Sequence, residues 1–196
     1  MVVKWICKTL CNMKLKNILM SLFLENKKQR YQYGCTMLYF NFPEINKIHD
    51  MIDNQDVYEE ESDRSFGLEK EPHTTLLYGS HENVSDDDIR IALNDLVFGE
   101  CELYNASLFK NEKYDVLKFD VSGKNLNVAN NRLKEFPYTS DFPDYHPHLT
   151  IAYLKSGEGD KYVKKLKDYK TTLLPKKAVY SKPNGDKVDI SIKVQK

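Results

Sequence analysis

The sequence predicts an α+β fold of two similar β-sheet/helix lobes around a central cleft, and three observations predict it. First, Pro72-His73-Thr74-Thr75-Leu76-Leu77-Tyr78 and Pro147-His148-Leu149-Thr150-Ile151-Ala152-Tyr153 share one pattern. Each reads Pro-His-x-Thr, then two small or apolar residues, then Tyr, and the copies lie 75 residues apart. Second, strand-like and helix-like segments follow one another in a similar order through both halves. Third, no low-complexity linker separates the halves. The expected organisation is residues 1–30 as an N-terminal extension, followed by 31–196 as a single bilobal domain.

Each element has a local reason. Residues 1–24 carry an apolar stripe, Leu15, Ile18, Leu19, Leu22 and Phe23, at helical spacing. Lys4, Lys8, Lys14 and Lys16 interrupt the run, so it reads as an amphipathic helix or a flexible extension rather than a membrane span. Gly34–Phe42 reads as a strand with Leu38, Phe40 and Phe42 on one face and Met37 and Tyr39 on the other. Pro43 suits the first turn of a helix carrying Ile45, Ile48 and Ile52. Val57–Glu59 reads as a short strand and Glu59–Asp63 as a solvated acidic loop. The first motif strand follows at His73–Tyr78. Ser85 and Asp88 form a capping box for a helix buried through Ile89, Ala92 and Leu96. Strands are expected at Cys101–Phe109 and Tyr114–Val121, where Leu117, Phe119 and Val121 alternate with Lys118 and Asp120. A helix over about Leu126–Phe136 precedes the second motif strand, and a Lys-rich helix covers about Asp160–Asp168. Strands Ala178–Ser181 and Lys187–Val194 close the chain around the Pro183-Asn184-Gly185-Asp186 turn.

Bulk properties narrow the function. Twenty-nine basic and 29 acidic residues balance, so no global field draws the chain onto duplex nucleic acid or an acidic membrane. A small nucleotide held by local donors stays compatible with that balance. Cys7, Cys11, Cys35 and Cys101 lack paired metal-ligand spacing, and no secretory signature is present; reduced thiols in a cytoplasm are expected.

The repeat carries the chemistry. Alternate residues of a strand share a face, so His73 sits with Thr75 and His148 with Thr150. Metal-free phosphodiester cleavage needs a base, an acid and donors to the phosphoryl oxygens. Two imidazoles can divide the proton transfers, and two threonine hydroxyls can hold the oxygens. A ribose 2′-hydroxyl is the natural nucleophile, giving a 2′,3′-cyclic phosphate that water then opens. The sequence does not assign which histidine is the base. His146 and His148 with Asp141 and Asp144 form a rival His/carboxylate cluster for a metal; the paired motif favours metal-free chemistry, with His146 buttressing the loop and no acidic residue at a matching spacing from His73.

The paired His-x-Thr strands resemble the 2H phosphoesterase superfamily, whose bilobal, LigT-like fold sets the two motifs across a cleft. The flanks narrow the resemblance. Tyr33-Gly34-Cys35, Gly67-Leu68-Glu69, Pro72 to Gly79, Asp141 to Tyr153 and Tyr180-Ser181-x-Pro183-x-Gly185 are similar to the phage anti-CBASS phosphodiesterases, over about Tyr33 to Val194. The resemblance implies metal-independent cleavage of 3′–5′ bonds in cyclic di- and trinucleotide immune signals, such as cyclic GMP-AMP or cyclic tri-adenylate, in the cytoplasm of an infected bacterium. It implies His73, Thr75, His148 and Thr150 as the catalytic set, with no cofactor and no metal. Tyr39 is a candidate to stack on a nucleobase, or else a packed strand aromatic. Tyr180, with the Asn184–Lys187 turn, is a candidate substrate-binding lid. Two other readings stay open: an RNA 2′,3′-cyclic phosphodiesterase, and a sponge that binds cyclic nucleotides without cutting them.

Overall fold

Residues 31–195, apart from 62, 64 and 143, are described by a computed structural model. The expectation for residues 1–30 lies outside the described residues. Alternation fixes the first strand, β1 (Gly34–Phe40): Leu38 and Phe40 enter the main core with Phe42, whereas Met37 and Tyr39 pack with Val179 and Cys35 on the other face. The helix after Pro43, α1 (Ile45–His49), spans one turn and a half; Ile52 follows it, still buried. Val57–Glu59 forms no strand; Val57 makes an isolated bridge with Leu154.

The first motif strand is β2 (His73–Ser80), and α2 (Asp86–Leu93) follows with the Ser85/Asp88 capping box formed. Next come β3 (Val97–Phe98), β4 (Cys101–Lys110), β5 (Tyr114–Gly123) and α3 (Leu126–Leu133), which stops short of Phe136. The second motif strand is β6 (His148–Lys155), followed by α4 (Asp160–Leu166). The chain closes with β7 (Thr171–Leu173), β8 (Pro175–Ser181), β9 (Lys187–Ile190) and β10 (Lys193–Val194). The last predicted strand is therefore broken, and β10 leaves the main sheet to pair in parallel with β3.

The main sheet runs β7-β4-β5-β6-β2-β1-β8-β9, four strands on each side of the β6–β2 junction. The motif strands thus meet at the centre, antiparallel, and they pair only at Thr74 and Leu149. Beyond that pair they part, and each offers a bare edge that needs hydrogen-bond partners. The segment leading to the first motif fills one gap: Glu69 N–H donates to Ile151 O at 2.9 Å and Tyr153 N–H to Gly67 O at 2.8 Å. The segment leading to the second fills the other: Thr139 N–H donates to Gly79 O at 2.9 Å and His81 N–H to Pro137 O at 3.0 Å. Gly79 is required here, with φ +113° and Thr139 O only 1.8 Å from where a Cβ would stand.

The helices cross between halves. From the first half α1 packs over β6, and from the second α3 packs over β2. One apolar core therefore spans both lobes, including Leu38, Leu76, Phe119, Leu126, Leu149 and Ile151. The opposite face of the sheet centre is left to the motif side chains.

Candidate active site

Both motif histidines are set by the same local device. The Pro before each lends its carbonyl to the neighbouring strand, Phe40 N–H to Pro72 O and Val121 N–H to Pro147 O, each at 2.9 Å. Each imidazole then turns Nδ1 to the carbonyl two residues upstream, His73 to Glu71 O at 2.8 Å and His148 to His146 O at 2.9 Å. A carbonyl only accepts, so Nδ1 carries a hydrogen and Nε2 is the nitrogen left to take or give a proton. His73, Thr75, His148 and Thr150 are all partly exposed, between the buried Thr74 and Leu149. Counting one step out from the Thr74–Leu149 pair brings His73 towards Thr150 and Thr75 towards His148. The four candidate residues share one face at the sheet junction.

A second regularity explains the rest of the motif. In β1–β2, Thr36 faces Leu77 while Met37 faces Thr75, so Leu76 is an extra residue. In β5–β6, Leu117 faces Ala152 while Lys118 faces Thr150, so Ile151 is an extra residue. Each motif strand thus bulges three residues after its histidine, and two consecutive apolar residues enter the core. The bulge also inverts the alternation. Tyr78 and Tyr153, which strict alternation puts on the far side, come round to the face of the histidines, opposite Cys35 and Val116. Each bulged carbonyl is held from behind: Asn130 Nδ2 donates to Leu76 O at 2.6 Å, and His49 Nε2 lies 3.0 Å from Ile151 O.

The surroundings of the two imidazoles differ. His73 stacks on Tyr39 with ring centres 5.3 Å apart, and the Glu69 carboxylate lies 3.8 Å from its Nδ1. His148 meets the Phe109 ring edge-to-face at 4.9 Å. Burial pushes the His148 pKa below its ordinary value; the charges of Lys118 and His73 add to this, while the His146 carbonyl and Asp120 oppose it. The Cys35 thiol, hydrogen-bonded to Thr75, is pushed up to about 12 by burial and stays protonated. Tyr145 ties the loop before the second motif to the first, donating its hydroxyl to Thr75 O at 3.1 Å.

The two substrate-binding candidates fare differently. Tyr39 lies on the motif face, but one side of its ring is taken by His73 and Lys177 Nζ lies 5.9 Å from its centre. Tyr180 is a correction: it is 0% exposed, belongs to the core face beside Thr36, and donates its hydroxyl to Val84 O at 3.1 Å. A ring sealed in that way offers no surface to a nucleobase.

Sequence reasoning missed Glu69, which supplies the acidic neighbour that His73 was expected to lack. It also gave Lys118 and Asp120 no role beyond alternating with the buried residues of their strand. Lys118 is 8% exposed, ion-paired with Asp120 and set 4.8 Å over the Phe109 ring. Their alternation with Leu117 and Phe119 was visible; that their face adjoins the second motif was not. Among the described residues, no three His, Cys, Asp or Glu side chains gather as a metal ion requires, and no helix is long and apolar enough to cross a membrane.

No family model matches the chain, and no curated protein matches it. Among solved structures the chain is similar to Kluyveromyces marxianus Usb1, determined with uridine monophosphate. The TM-score is 0.52 at 12% identity, covering 82% of this chain and 98% of that one. At that identity the likeness is one of fold, and the chain adopts a Usb1-like fold built on a large antiparallel sheet with few helices.

Proposed function

We propose that this chain is a metal-independent phosphodiesterase that cleaves 3′–5′ bonds of cyclic di- and trinucleotides, and that a phage uses it to remove the signal of bacterial CBASS defence. The observation that carries the phosphodiesterase reading is the matched pair of His-x-Thr strands, each imidazole with Nδ1 tied to backbone and Nε2 free. The cyclic-nucleotide substrate and the phage setting rest on the resemblance of the motif flanks. The shared fold with a protein determined with a mononucleotide supports a nucleotide ligand.

In this reading the surroundings divide the roles. His148, kept neutral by burial, takes the proton of the ribose 2′-hydroxyl as that oxygen attacks phosphorus. The bond from phosphorus to the 5′-oxygen breaks, and His73, entering this step as the imidazolium with Glu69 beside its ring, gives its Nε2 proton to the departing oxygen and is left neutral. Thr75 and Thr150 donate to the non-bridging oxygens. The product is a linear nucleotide with a 2′,3′-cyclic phosphate, which water opens with the roles reversed.

The test is incubation with 3′,3′-cyclic GMP-AMP, cyclic tri-adenylate and RNA ending in a 2′,3′-cyclic phosphate, with products separated by chromatography in EDTA. Linear products from the cyclic nucleotides are expected. Consumption of the RNA alone makes the protein an RNA-end enzyme. Intact cyclic nucleotide recovered after heat denaturation makes it a sponge.

A further inference from the structure

The two halves share one register around the motifs, but the residues facing the motifs differ between them. Met37 on β1 stands opposite Thr75, and Tyr39 opposite His73; Lys118 on β5 stands opposite Thr150, and Asp120 opposite His148. Lys118 therefore occupies in the second half the slot that Met37 occupies in the first, and both are 8% exposed. Methionine shows that the fold fills this slot without a charge. Burying an ammonium carries a desolvation cost that an apolar side chain avoids, so packing does not account for Lys118.

Its placement does. The side chain lies on the motif face beside Thr150, along the Phe109 ring that also touches His148. Asp120 Oδ1 engages one of the three N–H groups of Nζ, and Asp120 is itself shared, accepting from Asn105 Nδ2 at 2.5 Å. That leaves donors and positive charge next to the oxygens that Thr150 is positioned to hold. We infer that Lys118 is a catalytic residue, whose ammonium binds a non-bridging phosphoryl oxygen and stabilises the negative charge that gathers there in the transition state. The ligand class is a phosphodiester anion, and the inference rests on the phosphodiesterase reading above.

The test compares the wild type with Lys118→Met, Lys118→Arg and the double variant Lys118→Met/Asp120→Asn, which leaves no carboxylate unpaired if the single variant folds poorly. With a cleaved cyclic dinucleotide, loss of the ammonium should lower kcat by about 10²-fold, as for removal of one oxyanion donor, with KM little changed. Lys118→Arg should recover most of that loss. The two diastereomers of a phosphorothioate substrate supply the contact test: the wild type should discriminate between them, and the Met variants should lose the discrimination. Folded Met variants with wild-type kcat, or with the same diastereomer ratio as wild type, overturn the role of Lys118 and leave the phosphodiesterase reading intact. A folded wild type that cuts no phosphodiester overturns that reading, and this inference with it.

Discussion

Asn130 donates its side-chain amide to the carbonyl of Leu76, 2.6 Å away, where the first motif strand bulges. His49 meets the carbonyl of Ile151, at the equivalent bulge of the second strand, at 3.0 Å. Each holder comes from the other half of the chain, so the two lobes position each other's motifs. A bulge takes a carbonyl off its ladder, and burial makes an orphaned carbonyl costly. Asn130 supplies a donor to Leu76 O, and His49 adds a second contact to Ile151 O, which already accepts from Glu69 N–H at 2.9 Å.

Removing either donor should therefore loosen both stability and motif geometry. Asn130→Ala should cost roughly 1–3 kcal/mol, the range for a buried polar group left unpaired, and His49→Ala should cost less, because Ile151 O keeps the Glu69 N–H. Urea unfolding midpoints check this. His49→Asn, which restores an amide of the kind used at the other bulge, should lose less than His49→Ala.

Acid should destabilise the protein through the same residue. Burial is the main cause that lowers the His49 pKa from its ordinary 6.5, and burial lowers that of His148 likewise. In each case the unfolded chain binds the proton more readily than the folded one. Stability is thus present above pH 6.5 and falls as pH drops from there through the lower folded-state values. Unfolding measured between pH 8 and pH 5 should show this loss, and His49→Asn should flatten it.

Activity should follow the motifs. His73→Ala and His148→Ala should each reduce turnover by about 10²–10⁴-fold with the fold retained, the range for a lost general acid or base. If His148 is the base, the acid limb of kcat/KM lies below pH 6.5, because its depressed pKa keeps it neutral further into acid. Near-wild-type turnover in both alanine variants would remove the proposed mechanism.

Tyr39 should act through its ring rather than its hydroxyl. The phenol donates weakly to Met37 Sδ, at 3.9 Å, whereas the ring stacks on His73. Tyr39→Phe should keep wild-type kcat, and Tyr39→Ala, which frees the imidazole to turn, should lower kcat by about tenfold, a small positional loss by the standard of misplaced groups. A rise in KM with unchanged kcat would instead make Tyr39 a base-stacking platform.

Gly79 should tolerate no side chain. Gly79→Ala places a Cβ 1.8 Å from Thr139 O at φ +113°. The displaced edge segment should cost about 3 kcal/mol, the scale of a strained backbone position, read as a fall in melting temperature.

The sequence by itself determined the repeat, the alternation of β1 and β5, the capping box at Ser85 and the four His-x-Thr candidates, because each is written in residues a few places apart. Glu69, Lys118 and the burial of Tyr180 depend on contacts that local spacing does not encode. Alternation tells that Lys118 and Leu117 face opposite ways, but not that the polar side adjoins β6 in place of water. The motif tyrosines show the division most sharply. Their paired apolar neighbours, Leu76-Leu77 and Ile151-Ala152, were legible, yet only strand register shows that they mark bulges and turn Tyr78 and Tyr153 to the histidine face. Residue type and short-range period set which side chains can do chemistry; long-range strand pairing decides which of them meet.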